Sequence, residues 1–410
     1  MKMIKDKQFF RNFIWNTIGS GLASFNSLFF MMAITRINGL EDAGIFSITF
    51  ATASIFYIFA LYSGRSCHTT DIKGDIKDKD YILSRIITCI AAFILIGIFV
   101  VFNDYGQYKN IILITLCVWR CLEAFSDVFY GVLQKSGNLD KVGKSLVIKS
   151  ILGLFLFIII DLITKKLIYS CISLVIVSIA VIVFYEIPQV LKYIDKKETM
   201  NLENVKFIYK TEFFIFINAF LTMYLLNAPK YAIERYLTED IQAIFGIILM
   251  PASILPLFAQ FVVSPIINKI TSLYKENNIK EFIKVQNKMI LAILFFGLVA
   301  LTIGYLIGIP VLELLYKTDL GEYKVPFIII LSSYIVYAMG YVKTIILTIF
   351  RKIKEQSIVY AISTITIGIL SYILVKQYGI YGAAISCFIS MLIYYILFYI
   401  ITRISYKEKL

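Results

Sequence analysis

Arg120, Glu123, Asp127 and Gln134 interrupt an otherwise apolar run, IILITLCVWRCLEAFSDVFYGVLQ. At about 100° per residue, all four fall within about 60° of one another on a helix. A charge at the centre of a bilayer costs at least about 2.5–3.5 kcal/mol, so ionisable groups there face a bundle interior, a partner or water. Two arrangements meet that demand. In one, the stripe lines a hydrated cavity, where Arg120 can hold a polar solute and Glu123 and Asp127 can take up a proton or a cation. In the other, Arg120 closes an ion pair with Glu123 one turn away, and Asp127 seals contacts to a neighbouring helix.

A second stripe comprises Tyr334, Tyr337, Tyr341, Thr344 and Thr348, which fall within about 80° on one helix. Tyrosines lining a cavity can stack on sugar rings and hydrogen-bond through their hydroxyls. The alternative is helix packing or an interfacial belt. Lys343 points away from this stripe and can snorkel toward Arg351 and the membrane edge. Near the start of the chain, Asn12, Asn16, Ser20 and Ser27 form a small polar face beside Gly19 and Ala23. A later run offers Asn218 and Thr222, then Asn227 and Pro229, which suggest a bend. Small residues in such positions also permit close helix packing.

These residues must be positioned by membrane helices. Hydrophobic residues make up 59% of the 410-residue chain and charged residues 16%, against about half and a quarter in soluble domains. Runs long enough to cross a bilayer cover 13–35, 43–63, 82–102, 109–132, 143–163, 166–190, 206–228, 241–265, 286–308, 324–349, 357–375 and 380–402. The expected fold is therefore an all-α integral membrane protein of about twelve transmembrane helices. With the amino terminus and every second loop taken as cytoplasmic, 29 of the 40 Lys and Arg lie on that side, including Lys192, Lys196, Lys197, Lys269 and Lys275. Nine lie opposite, counting charges near a span end with the adjoining loop, and Arg120 and Lys343 are set apart as charges within spans. The positive-inside rule then places both termini in the cytoplasm. The net charge of +13 is mostly a topology signal, and nucleic acid is not an expected partner because no loop is long enough to form a reading module.

Other chemistries find little support. GNLDKVGKS, at Gly137–Ser145, has five residues between its glycines where a P-loop needs four, and it follows a membrane helix. His68 is the only histidine, and no hydrolase or metalloprotease motif occurs. The six cysteines lack disulfide or zinc spacing. The opening MKMIKDKQFFRNF is not expected to be a cleavable signal peptide. Neither a metal nor another cofactor is expected, nor is enzymatic activity.

The chain also repeats itself. Ala33-Ile34-Thr35-Arg36 recurs as Ala232-Ile233-Glu234-Arg235, and nine identities at this offset span residues 33 to 55 without a gap. An even number of spans per half gives parallel repeats, and such transporters place their substrate between halves. The polar stretch KYIDKKETMNLEN divides an N-lobe, 1–198, from a C-lobe, 199–410. Arg36 and Arg235 occupy equivalent outer ends and are interfacial anchors or paired flanks of one site.

Three segments, RNFIWNTIGSGLASFNSLFFMMAITRINGLEDAGIFSITFATA, LEAFSDVFYGVLQKSGNLDKVGKS and LNAPKYAIERYLTEDIQAIFGIILMPAS, resemble Wzx-type polysaccharide flippases, which share a superfamily with MurJ and the MATE exporters. The resemblance covers essentially the whole chain. It implies a V-shaped, two-lobed transporter that moves an undecaprenyl-pyrophosphate-linked oligosaccharide across the bacterial cytoplasmic membrane by alternating access. It further implies membrane lipids, a polysaccharide polymerase and glycosyltransferases of the same pathway as partners. Arg120 matches the cavity cations of such proteins, although here two carboxylates accompany it. Arginine gives bidentate contacts to phosphate oxygens, so Arg120 leads, with Arg65, Arg36 and Arg235 along the path. Tyr334, Tyr337 and Tyr341 would then face sugars, with Asn16 and Asn218 on polar faces of the cavity. Two other functions stay open: a MATE-like, ion-coupled exporter of small organic cations, and a membrane glycan polymerase. The second would need a larger external loop than Pro229–Asp240 or Pro310–Lys324 provides.

Overall fold

The computed structural model describes residues 2–62, 65–70, 76–103, 105–195 and 199–407, with side chains for all of these except 2–6, 66 and 70. Lys196, Lys197, the end of the expected N-lobe at 198 and the loop residues 71–75 lie outside the described residues. The elements are all helical: α1 Lys2–Ile37, α2 Leu40–Leu61, α3 Arg65–Thr70, α4 Asp78–Phe102, α5 Gln107–Lys135, α6 Leu139–Thr164, α7 Leu167–Val181, α8 Ile187–Val190, α9 Leu202–Tyr236, α10 Glu239–Val263, α11 Ile267–Lys275, α12 Ile279–Ile303, α13 Ile309–Tyr316, α14 Lys324–Ile349 and α15 Ile353–Lys407.

Ten helices among the described residues are long and apolar enough to cross a membrane, with α7–α8 and α12–α13 each running on as one. Two features bring this to the twelve crossings expected. The 55 residues of α15 are two helices, broken at Gly379, where φ 57° and ψ −132° leave the helical region. Ser371 and Ser386 hydroxyls meet at 2.9 Å across this break. A straight helix would hold residues fifteen apart at about 22 Å, so the chain reverses here. The second feature is α5, whose 29 residues extend about 44 Å. It falls outside the ten because Lys109, Arg120, Glu123, Asp127 and Lys135 dilute its apolar run.

The helices form two compact units, Met1–Phe220 and Leu221–Leu410, and α9 runs from one into the other. It passes through Pro229 and stays helical to Tyr236. In the first unit, α1 crosses α6 where Gly19 meets Gly143. A Cβ on Gly143 would enter the backbone of Trp15 and Asn16, and one on Gly19 would meet the Gly143 carbonyl. Such small residues let helix backbones approach in a membrane. Asn12 completes the crossing: its Oδ1 accepts from the Asp140 amide at 2.9 Å, and its Nδ2 donates to the Gly137 carbonyl at 3.0 Å. That caps the amide-rich start of α6 from a neighbouring helix. Beyond it, the rings of Phe30, Phe46 and Phe157 join α1, α2 and α6. The second unit buries Phe282, Phe350, Tyr360, Tyr394 and Phe398 between α12, α14 and α15.

Two turns wider than α-helix interrupt the bundle, at Ile182–Glu186 and Gly304–Gly308. At the first, the Ile187 amide donates to the Ile182 carbonyl, five residues back. Pro188 follows and has no amide to donate, so the regular ladder cannot continue there. Glu186 sits on this widened turn.

Candidate functional site

The first unit holds a partly open cavity of about 260 Å³, room for roughly eight water molecules at about 30 Å³ each. Five helices line it: α1 with Ser24, Asn26 and Ser27, α2 with Phe50, α5 with Trp119, Arg120 and Glu123, α6 with Lys149, and α7 with Ser178. The helix at its centre is α5, which packs against α2, α4, α6 and α7.

Arg120 enters the cavity between rings. Its guanidinium carbon lies 4.5 Å from the Phe50 ring centre, 4.6 Å from Trp119 and 5.5 Å from Tyr57, a cation–π arrangement that holds a positive charge in apolar surroundings. Its Nη2 donates to Ser54 Oγ at 3.3 Å. The expected alternative of an Arg120–Glu123 ion pair is not what forms. Among the described residues, Arg120 has no carboxylate within ion-pair distance, because Glu123 turns to a cation from another helix.

That cation is Lys149. Its ammonium lies 3.3 Å from Glu123 Oε1 and 2.9 Å from Glu186 Oε1, and it donates to Ser126 Oγ at 2.5 Å. The two carboxylates differ in setting. Glu186 is fully buried and also accepts from Tyr130 at 2.8 Å and Ser145 at 2.6 Å. Glu123 lines the cavity, keeps 19% of its side chain exposed and accepts otherwise from Ser178 at 3.1 Å.

Asp127, expected to share the stripe with Arg120 and Glu123, is not among the cavity-lining residues. It accepts from the Arg65 amide at 3.1 Å and pairs with Arg85 Nη2 at 3.5 Å. Arg85 also donates to the carbonyls of Ala60 and Leu61 at the end of α2. Asp127 therefore ties α3, α4 and α5 together. Arg65 contributes its backbone to this tie, with its side chain half-buried.

The remaining expected residues lie elsewhere. Asn16 sits at the α1–α6 crossing, and Asn218 is half-buried on α9. Arg36 and Arg235 are exposed at the ends of α1 and α9. Tyr334 and Tyr337 are buried in the second unit, where Tyr337 packs against Tyr394 at 5.2 Å, while Tyr341 on the same face is half-buried. Lys343 is buried as well, with its ammonium 5.3 Å from the centre of the Tyr399 ring.

Sequence reasoning missed Lys149, Glu186 and Arg85, which lie inside the runs 143–163, 166–190 and 82–102 but toward their ends. One signal was available for Lys149. It shares its helix face with Ser145, Gly153 and Phe157, and a small, polar face on a membrane helix marks packing against neighbours rather than lipid.

No protein-family model matches the chain. It is 27% identical over 399 residues to the capsular polysaccharide biosynthesis protein CapF of Staphylococcus aureus, which covers 95% of this chain and 98% of that protein. Among solved structures, the lipid II flippase MurJ in an inward closed conformation superposes with a TM-score of 0.72 at 16% identity, covering 95% of this chain and 87% of MurJ. An inward-facing MATE-family multidrug resistance transporter of the MOP superfamily gives 0.66 at 12% identity, covering 96% and 99%. An outward-facing MATE structure gives 0.62 at 15%, covering 98% and 96%. These three solved structures are of transporters. The chain is a multi-pass membrane protein with the fold of the MATE and MurJ transporters of the MOP superfamily.

Proposed function

We propose that the chain is a flippase that moves an undecaprenyl-pyrophosphate-linked oligosaccharide across the bacterial cytoplasmic membrane for surface polysaccharide synthesis. In this reading the six-helix lobes are 1–198 and 199–410, both termini are cytoplasmic, and the lobes alternate access to the cargo. The observation that carries the reading is Arg120, a guanidinium facing a membrane cavity with no carboxylate bonded to it among the described residues. A planar fork in that state is suited to phosphate oxygens. The similarity to a capsular polysaccharide biosynthesis protein supports the class of cargo. The cavity is large enough for a diphosphate headgroup but not for an oligosaccharide, so the sugars need other surfaces. Tyr341 keeps surface for them, with Tyr334 and Tyr337 packed behind it, and Asn16 and Asn218 supply polar groups. Arg36, Arg65 and Arg235 are way stations. Glu123 is the ion-coupling residue, and Asp127 secures the inner ends of α3, α4 and α5.

The test is flipping of a lipid-pyrophosphate-linked oligosaccharide in proteoliposomes. Arg120→Lys keeps the charge and loses the fork, so flipping falls, and Arg120→Ala abolishes it. Because Arg120 bonds no carboxylate among the described residues, neither change strands a buried charge, and the loss of stability should stay within about 1–3 kcal/mol, the scale of its ring contacts and its bond to Ser54. Full flipping by Arg120→Ala, or transport of an organic cation that needs Glu123 and not Arg120, would overturn the reading in favour of a cation exporter.

A further inference from the structure

We propose that Lys149 is a second phosphate-binding cation, held in reserve by Glu123, so that entry of the anionic headgroup is linked to uptake of a proton by Glu123. The proposal rests on the flippase reading and adds to it a residue and a coupling.

The geometry separates the two carboxylate partners of Lys149 into a permanent one and an exchangeable one. Glu186 is permanent. It is fully buried, lies 2.9 Å from the ammonium and is fixed by the Tyr130 and Ser145 hydroxyls. Glu123 is exchangeable. It lies farther away at 3.3 Å, retains exposed surface and faces the same cavity as Lys149 and Arg120. A phosphate oxygen bonded to Arg120 from within a 260 Å³ space meets Lys149 as the other cation on the wall. To reach it, the phosphate must take the place Glu123 occupies.

Charge decides what happens to Glu123. With every group ionised, Arg120 and Lys149 balance Glu123 and Glu186. A diphosphate diester adds a negative charge at each phosphorus centre, so entry without compensation leaves the site, largely walled by membrane helices, strongly anionic. The groups able to respond come from each surrounding helix. From α2 there is Tyr57, and from α4 Arg85, already committed to Asp127. From α5 there are Arg120, Asp127 and Tyr130; from α6, Lys149; and from the widened turn, Glu186. The wall supplied by α1 and α7 is polar but not ionisable, with Ser24, Asn26, Ser27 and Ser178. Of the two carboxylates paired to Lys149, only Glu123 lines the cavity. A proton from that space neutralises Glu123, Lys149 keeps its charge and its bond to Glu186, and its other contact passes to the phosphate. The carboxyl so formed remains within reach of Ser178.

The experiment is calorimetric titration of the purified full chain with a short-chain polyprenyl pyrophosphate-linked sugar, a diester with no phosphate ionisation near neutral pH, run in two buffers of different ionisation enthalpy so that the difference counts protons. The native protein is expected to take up about one proton per bound ligand near neutral pH. Glu123→Gln removes both the competitor and the proton site, so proton uptake disappears and affinity rises by about tenfold, the scale of a hydrogen bond to a charged group. Lys149→Met combined with Glu186→Gln leaves no stranded carboxylate on the widened turn and should bind about tenfold more weakly. Binding that takes up no proton, proton uptake that survives Glu123→Gln, or a Lys149→Met/Glu186→Gln variant with native affinity overturns this proposal and leaves the flippase reading standing. A native protein that binds no pyrophosphate probe overturns both.

Discussion

Replacing Lys149 with methionine keeps the length of the side chain and deletes its charge, which makes it the sharpest probe of how the first unit is held together. The ammonium ties Ser126, Glu123 and Glu186. Without it, Glu123 can hydrate from the cavity, but Glu186 has no exposed surface and only two hydroxyl donors. Removing one partner of a buried pair costs about 3–5 kcal/mol. Because Glu123 escapes part of that penalty, the lower end applies. At about 2–4 °C per kcal/mol for a unit of this size, the apparent melting temperature should drop by on the order of 10 °C. The assay is the fraction of detergent-solubilised protein that stays monodisperse after heating. Adding Glu186→Gln to the lysine change removes the stranded charge and should restore most of the loss. Glu186→Gln alone should cost less than Lys149→Met, since Lys149 keeps Glu123. A Lys149→Met protein within about 2 °C of native, or a double variant no more stable than the single, would refute the reasoning.

Asp127→Asn should lower stability by about 1 kcal/mol, because Arg85 keeps two carbonyl acceptors. It should leave the pH and sodium dependence of flipping in place, whereas Glu123→Gln should change it. Gly143→Leu should abolish folded protein in the membrane, since the added side chain meets the backbone of α1; normal expression of that variant would show that the crossing tolerates separation. Single cysteines at Lys275 should label from the cytoplasm and at Lys166 and Lys317 from the exterior, and labelling of Lys275 and Lys317 from one side would break the proposed topology.

The helices were legible because each is an apolar run of bilayer length, and their polarity along the chain needs no partner to be read. Even α5, diluted by its charges, was legible as the apolar run 109–132, and the period of Arg120, Glu123 and Asp127 put those charges on one face. What the period could not supply was the partner of each charge. Glu123 has Arg120 one turn away on its own helix, yet it pairs with Lys149 on the next one, and Asp127 pairs with Arg85 on the previous one. Those choices depend on how helices rotate against one another, which is settled by packing such as the Gly19–Gly143 crossing. Glu186 was hidden for a further reason. At the end of an apolar run it reads as a membrane-edge charge, and only the widened turn before Pro188 carries it inward. The tyrosine stripe shows the reverse problem, in that one face of α14 was legible while the neighbours that bury Tyr334 and Tyr337 were not.

The polarity of α5 also bears on how the chain enters the bilayer. Released alone into lipid, this helix would carry Arg120, Glu123 and Asp127 at about 2.5–3.5 kcal/mol each. The charges that relieve Asp127 and Glu123 arrive at different times: Arg85 belongs to the helix synthesised just before, and Lys149 to the one synthesised just after. Segment-by-segment partitioning is therefore costly for α5, and the triplet α4–α5–α6 is the smallest unit in which both of its mid-helix carboxylates are paired. The ion pairs that shape the cavity in the finished protein thus also set the order in which its walls can be assembled.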